Sequence, residues 1–391
     1  MRFVVTLMVR DEVDVIAAMI EHTLSQEPDL IIATDNASVD GTTEVLQRYA
    51  DLGLVELHHD SEHRKQQHAV VTAMARRART EYAADWVINA DADEFWIPVD
   101  KSLTLRQALE RIPLSLNAFT VPVTNLVGRP ARRGSGLAHL IWRDLRPAEE
   151  LQQIGIYAQP TGNAVHRGEP DVVVAQGNHF VSIKSNGQPD PDVALEVLHV
   201  PWRSWTQFEQ KVSHAGRSYE ANPELRPSKN HHGMADRRRQ LAGRLLPAFL
   251  LRQPSGTDLK AGEVTGWFVR DEWLLHHLQG LAEHGVCPDL LAPLLDDSDD
   301  DPFSDAEIEA GAALGKQFFN LESERRAESV RADRAEEKVR ELSKKLADAR
   351  NQLRAATAPR PVPDRARAAA HGVLRRTRKE VGRARRRLRP R

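Results

Sequence analysis

Residues 91–94 read Asp-Ala-Asp-Glu directly after the apolar stretch Trp86–Ala90. Carboxylates this close repel one another unless water, a cation or protein donors compensate them. In an extended segment, residues i and i+2 point to one side. Asp91 and Asp93 can then hold one hard divalent cation together, or one cation and a sugar hydroxyl, and such a cation would neutralise a diphosphate during group transfer. The bland alternative is a solvated loop with a helix-capping aspartate. Two more polar clusters close apolar stretches: Arg10-Asp11-Glu12 after Phe3–Val9, and Asp35-Asn36-Ala37-Ser38 after Leu30–Thr34. A buried Asp35 can accept from a base N–H, whereas Ser38 to Thr42 is accounted for as a tight turn and helix cap.

The elements that must position these acids follow from periodicity. Phe3–Val9 is a short apolar run that reads as a buried strand, and Leu30–Thr34, Leu54–His58 and Asp85–Ala90 read as the second, third and fourth strands. Between them, Val13 to Leu24, Glu44 to Ala50 and Ala69 to Ala83 carry helical spacing. Strand and helix alternating in this way predict a parallel sheet built through right-handed crossovers, with helices on both faces. Ligands of such sheets sit at the carboxyl ends of the strands, where all three clusters fall. From 115 to 200 the pattern becomes short strands broken by Gly and Pro, at 118–123, 152–158, 171–175 and 179–184, read as an antiparallel extension. Helices are expected at 204–218, 237–251 and 267–281, and Asp296–Asp301 as a solvated acidic linker.

Residues 304–356 read as one long helix in which Ala332, Ala335, Val339, Leu342, Leu346, Ala349 and Leu353 recur by three and four. That is a heptad seam of about three repeats, weak because of its alanines. It suits self-association through 332–353 or docking on the body of the chain. Residues 360–391 hold 13 Lys/Arg against 2 Asp/Glu, a balance of +11, which leaves −13 on the rest of a chain whose net charge is −2. The basic tail suits an anionic membrane surface. Nucleic acid is disfavoured, since the tail has no aromatics to stack bases. A plain solubilising end is the third reading. One cysteine, Cys287, excludes a disulfide framework within the chain. No apolar run approaches the roughly 18–20 residues of a membrane span, and Met1–Val9 lacks the length of a signal peptide. The expectation is a cytoplasmic chain, peripheral at the inner face of the membrane if the tail binds lipid.

The order T-L-M-V-R-D-E, D-N-A-S-V-D-G-T, D-A-D-E-F resembles the nucleotide-sugar glycosyltransferases of family 2, which have the GT-A fold. The likeness is strong over residues 1–100 and loose over 100–220. It implies an α/β, Rossmann-like, mostly parallel GT-A sheet over 1–220, followed here by a helical extension (221–303), the long helix (304–356) and the tail (357–391). It also implies a nucleotide-diphospho-sugar donor, Mg²⁺ or Mn²⁺, and inverting transfer to a glycan, lipid-linked or other hydroxyl acceptor. By the same likeness Asp35 contacts the nucleobase, Glu12 lines its pocket, and Arg10 belongs to the third side of the cleft. Asp91 faces ribose or diphosphate, and Asp93 binds the metal. Lys65 and His68, at a helix start, reach the diphosphate or sugar. Ordinary members carry Asn where Asp11 stands, and D-D/N-G-S where D-N-A-S stands.

A late histidine often completes the metal shell in such enzymes, with basic residues after it holding the diphosphate. His199, with Arg203 and Lys211, fits that role, Asp91 and Asp93 being the other ligands. His179 is the second choice for the metal and could instead touch the acceptor. Each histidine is equally readable as a buried structural residue. The family's acidic pair for the general base has no clear counterpart between 120 and 200. Asp144, Asp171 and His179 are weak candidates, and the base is unassigned. Phosphoryl transfer of the haloacid-dehalogenase type needs its D-x-D after the first strand, not the fourth. A nucleotidylyltransferase needs a Gly-rich loop where Val9-Arg10-Asp11-Glu12 stands. The non-enzyme alternative is a catalytically degenerate domain that acts as an adaptor through its coiled coil and tail.

Overall fold

The computed structural model describes residues 1–61, 67–113, 115–157, 160–221, 232–357, 368–376 and 378–379. Most of the basic tail, and Lys65 with it, lie outside these residues. Two compact units are present, Met1–Leu321 and Glu322–Arg391. In the first, the chain opens as β1 (Phe3–Val9), α1 (Ile16–Ser25), β2 (Leu30–Asp35), α2 (Thr42–Asp51), β3 (Val55–His59), α3 (Gln67–Thr80) and β4 (Trp86–Ala90). This is the alternation expected from the sequence. β1 pairs in parallel with β2 and with β4, and β2 in parallel with β3. Strands buried on both faces are continuous apolar runs, which β1 illustrates. Phe3, Val5, Leu7 and Val9 join the core that contains α1, and Val4 joins the opposite core against α3.

The remaining elements are β5 (Glu94–Pro98), α4 (Leu105–Arg111), β6 (Ala118–Val121), β7 (Val123–Val127), β8 (Trp142–Asp144), α5 (Ala148–Gln153), β9 (Asn163–Arg167), β10 (Leu195–His199), α6 (Trp205–Ala221), α7 (His232–Leu241), α8 (Leu245–Leu250), α9 (Gly256–Thr265), β11 (Phe268–Arg270), α10 (Trp273–His284), α11 (Pro288–Leu295) and α12 (Asp305–Thr357). The large sheet runs β3-β2-β1-β4-β9-β6, with β9 antiparallel to both of its neighbours. A second sheet runs β11-β8-β7-β10-β5. The parallel order therefore reverses at β1, with β2 on one side and β4 on the other. That reversal is the place where open α/β sheets bind ligands.

Several short elements differ from the sequence reading. Where a strand was expected at 152–158, residues 152–157 are the end of α5 and a turn, because Pro147 and two early glutamates start a helix, and Ala158 lies outside the described residues. The strands expected at 171–175 and 179–184 reduce to one bridge between Val174 and Val181. β9 and β10, which flank the site, arise instead from 163–167 and 195–199. The helix expected over 237–251 breaks between α7 and α8 at Gly243, φ +67°. Asp296–Asp301 is no mere linker: Asp300 is buried, its carbonyl accepts from the amides of Arg132 and Arg133, and its carboxylate lies 3.3 Å from His139. The 221–303 extension packs on the sheet domain: Leu274, Leu278, Cys287 and Leu291 belong to the same core as Phe3 and Ile16. In the second unit, Val339, Leu342, Leu346 and Leu353 of α12 are exposed. Among the described residues no helix is long and apolar enough to cross a membrane.

Candidate active site

Strand register brings the three acid clusters together. Val9 pairs with Asp35, so Arg10-Asp11-Glu12 and Asn36 leave the sheet side by side. Leu7 pairs with Ala90, which sets Asp91 next to the end of β1. The loop after β1 is strained. Asp11 has φ +52°, sparsely allowed for a residue with a Cβ. Its amide donates to Ser38 Oγ at 3.0 Å, and its carboxylate accepts from the Val39 amide at 2.7 Å. Glu12 is fixed by its own amide on Thr42 Oγ1 at 2.9 Å.

These strand ends border a cavity of about 230 Å³ lined by Arg10, Asp11, Glu12, Asn36, Gln67, Asp91, Asp93, Lys211, His214 and Ser218, among others. The opposite wall is α6, whose Lys211, His214, Ala215 and Ser218 follow at helical spacing on one face. The lining carries four carboxylates (Asp11, Glu12, Asp91, Asp93) against two fixed cations (Arg10, Lys211), a formal balance of −2. Such a cleft repels a diphosphate unless a cation accompanies it.

The D-x-D does not present two parallel carboxylates. Residues 92–93 form a turn, closed by the Glu94 amide on the Asp91 carbonyl at 3.2 Å, where an extended segment was expected. The acids therefore meet different neighbours. Asp91 Oδ1 accepts from Gln67 Nε2 at 2.9 Å and from Asn178 Nδ2 at 3.0 Å. Asp93 Oδ2 is 2.6 Å from Lys211 Nζ and 3.7 Å from both His199 Nε2 and an Arg203 nitrogen. Burial pushes the Asp93 carboxyl up, but Lys211, His199 and Arg203 outweigh it and hold the group well below the usual carboxylate range. Glu94 goes the other way: burial, then the charge of Asp91, keep it well above its usual range. Its two oxygens meet Asn163 Nδ2 at 2.6 Å and the Asp91 amide at 3.1 Å.

Arg203 forms the floor. It is fully buried and donates to Asp14 at 2.7 and 3.0 Å and to Glu12 at 2.5 Å. Those carboxylates raise its pKa against the effect of burial. Glu12 is raised by burial despite Lys211 and Arg203 beside it. Gly136, φ +66°, lets the loop after β7 press on the Arg203 backbone, since a Cβ there would lie 2.3 Å from the Arg203 carbonyl oxygen.

His199 is set by pairing rather than by a helix start. At the end of β10 it lies opposite Glu94 of β5 and Asn125 of β7, and its Nδ1 is 2.9 Å from Asn125 Oδ1. With Nδ1 donating there, Nε2 faces Asp93. Among the described residues no three His, Cys, Asp or Glu side chains gather as a complete metal cage. Asp93 and His199 do converge, and Mg²⁺-type ions commonly take one or two protein groups and complete their shell with phosphate oxygens and water. With the −2 lining, this donor set fits a divalent cation that arrives with a diphosphate.

Of the expected site residues, Arg10, Glu12, Asp91, Asp93 and Lys211 line the cavity, with Arg203 and His199 directly behind. Asp35 stands beside it with both oxygens engaged, one by the Ser38 amide and hydroxyl at 3.2 and 2.5 Å and the other by Thr43 Oγ1 at 2.7 Å. Asn36 takes its place in the wall. Asp144 is far from this arrangement in role: it chelates Arg146 at 2.8 and 2.6 Å on the second sheet. Asp171 is exposed, and its backbone carbonyl accepts from Arg76. His179 is the base candidate nearest the D-x-D in its partners, with Nδ1 2.8 Å from Oδ1 of Asn163, which also serves Glu94 through Nδ2, and with the charge of Asp91 acting on it. His68 sits at the start of α3 with Nδ1 2.5 Å from the Val174 carbonyl. Sequence reasoning missed His214, whose Nδ1 is 2.8 Å from Asp11. Its only signal is the spacing of three from Lys211.

Residues 4–163 match the family model described as glycosyl transferase family 2. That span contains β1 from Val4 onward, β2 to β4 and the D-x-D. Among solved structures, S. aureus TarS 1–349 in complex with UDP-GlcNAc is 12% identical over 84% of this chain and 92% of that chain, with a TM-score of 0.33. TarS 1–349 alone gives 12% over 65% and 81%, TM-score 0.31. A mannose-1-phosphate geranyltransferase from Thermus thermophilus gives 12% over 56% and 63%, TM-score 0.23. No curated protein matches the chain significantly.

Proposed function

We propose that this chain moves a sugar from a nucleotide-diphospho-sugar to an acceptor hydroxyl, with Mg²⁺ or Mn²⁺ and with inversion at the anomeric carbon. One observation carries the reading. β1 and β4, the strands between which the parallel order reverses, deliver Arg10, Glu12, Asp91 and Asp93 into a single cavity walled by Lys211. When bound, the cation would stabilise the charge of the departing diphosphate, with Asp93 and His199 as its protein ligands. Arg203 keeps Glu12 and Asp14 in place from below, and Asp93 stays ionised through its cationic neighbours. Lys211 is within reach of a diphosphate in the cavity, and Asp91 is turned towards the ribose or the sugar. Burial and the charge of Asp91 favour the neutral form of Glu94, whose oxygens accept from Asn163 and the Asp91 amide. His179, neutral because burial lowers its pKa, is the group best placed to take the acceptor proton.

The same proposal extends to the rest of the chain. Self-association through 332–353 would cover the exposed Val339, Leu342, Leu346 and Leu353. The basic tail would bring the enzyme from the cytoplasm to an anionic membrane surface carrying a glycan or lipid-linked acceptor. The adaptor reading rests on the same helix and needs no nucleotide. Thermal unfolding separates the two. Mn²⁺ with UDP or GDP should raise the melting temperature of the full chain, and Asp93→Ala should abolish the rise. No rise with any nucleotide sinks the enzyme reading.

A further inference from the structure

Lys211 and Arg203 both approach Asp93, but they are held differently. Arg203 is fully buried and locked by Asp14, Glu12 and the Val200 carbonyl at 3.3 Å. The Lys211 side chain is 41% exposed and grips only carboxylates, Asp93 at 2.6 Å and Glu12 at 3.1 Å. The guanidinium is a fixture. The ammonium, a compact point charge on a four-carbon stem, can swing into the cavity that it borders.

The carboxylate oxygen it grips is Asp93 Oδ2, the same oxygen that faces His199 Nε2. Two cations cannot share that oxygen at close range without strong repulsion. A divalent cation that takes Asp93 and His199 must therefore displace the ammonium. Displaced into water alone, Lys211 loses two partly buried ion-pair partners. Displaced onto a diphosphate, it gains a new anionic partner at once.

We infer that Lys211 is a competitor built into the cation site, which makes divalent cation and nucleotide bind together rather than separately. The inference rests on the function proposed above and adds to it an order of events. Neither ligand is held well until the other is present, because the nucleotide supplies the place to which the ammonium moves. Coupling of this kind is reciprocal: the cation strengthens nucleotide binding by the factor by which nucleotide strengthens cation binding.

The test is Mn²⁺ binding to the full chain, followed by the loss of the free-ion electron paramagnetic resonance signal and by calorimetry, with and without UDP or GDP. Wild type, Lys211→Met and Lys211→Arg are compared after melting curves show all three to be folded. Lys211→Met should bind Mn²⁺ alone at least about tenfold more tightly than wild type, a difference of about 1.4 kcal/mol. Its gain from added nucleotide should shrink correspondingly. Lys211→Arg keeps the charge and should keep the dependence on nucleotide. Wild type binding Mn²⁺ alone as tightly as Lys211→Met overturns the inference, as does nucleotide binding indifferent to Mn²⁺. If wild type binds neither nucleotide with Mn²⁺ present, it is the proposed function that falls.

Discussion

Asp93 and Glu94 are neighbours in the chain and opposite in electrostatics. On one flank of the motif Asp93 faces Lys211, His199 and Arg203, and stays ionised. On the other Glu94 faces Asn163, the Asp91 amide and two carboxylates, and burial with the charge of Asp91 holds its carboxyl well above the usual range. Burial acts upward on both acids. The neighbours decide, and they come from β10, α6 and the segment between them for Asp93, but from β9 and Asp91 for Glu94. Environments that push neighbouring acids apart are how one site combines a permanent anion with a weaker acid.

The comparison can be broken most forcefully at its floor. Arg203→Met leaves Glu12 and Asp14 without their buried partner and should cost about 3–5 kcal/mol in denaturant unfolding. A loss below about 1 kcal/mol would mean that the cationic flank is not held from below. Asp93→Asn should lower transfer or donor hydrolysis by about 10²-fold or more, and Glu94→Gln, an isostere of the neutral acid that does not titrate, should raise stability at pH 7 above that of wild type in denaturant unfolding.

Proton linkage sharpens the contrast further. Glu94 is raised in the folded chain, so its contribution is full below its ordinary value of 4.5 and fades as pH rises through the folded value. Asp93 is depressed, so its contribution is present above its ordinary value of 3.8 and fades as pH falls towards the folded value. Glu94→Gln should therefore flatten the high-pH side of the stability profile, and Asp93→Asn the acid side. Matching profiles for the two variants would erase the distinction. The smallest effect belongs to the long helix. Leu346→Glu should shift sedimentation of the full chain towards monomer while leaving nucleotide-dependent melting unchanged.

Legibility in the sequence follows the same division. β1, β2 and β4 are readable because buried strands are largely apolar runs, β3, a half-exposed edge strand, by its place in the alternation, and α1 to α3 by their helical spacing. The acids at their tips can therefore be placed on one edge. The walls that tune those acids are not readable. β10 is five residues, Leu195–His199, fixed by pairing with β5 and β7, in a stretch where the sequence pattern predicts no strand. β9 supplies Asn163 to Glu94 through an antiparallel register that no local pattern announces. The turn at 92–93 likewise separates carboxylates that spacing alone puts on one side. His214 on α6 carries only helical spacing, and Asp35 looks like a ligand contact because the donors that occupy it lie further along the chain, at Ser38 and Thr43.

The central claim is that the acids at the ends of β1 and β4 form a donor-sugar cleft governed by Asp93. The most direct measurement is consumption of a panel of nucleotide-diphospho-sugars by the full chain with Mn²⁺, for wild type and Asp93→Asn side by side. Wild type should consume one donor class, and turnover should fall by about 10²-fold or more in the variant. Consumption of no donor, or equal consumption by both chains, would contradict it.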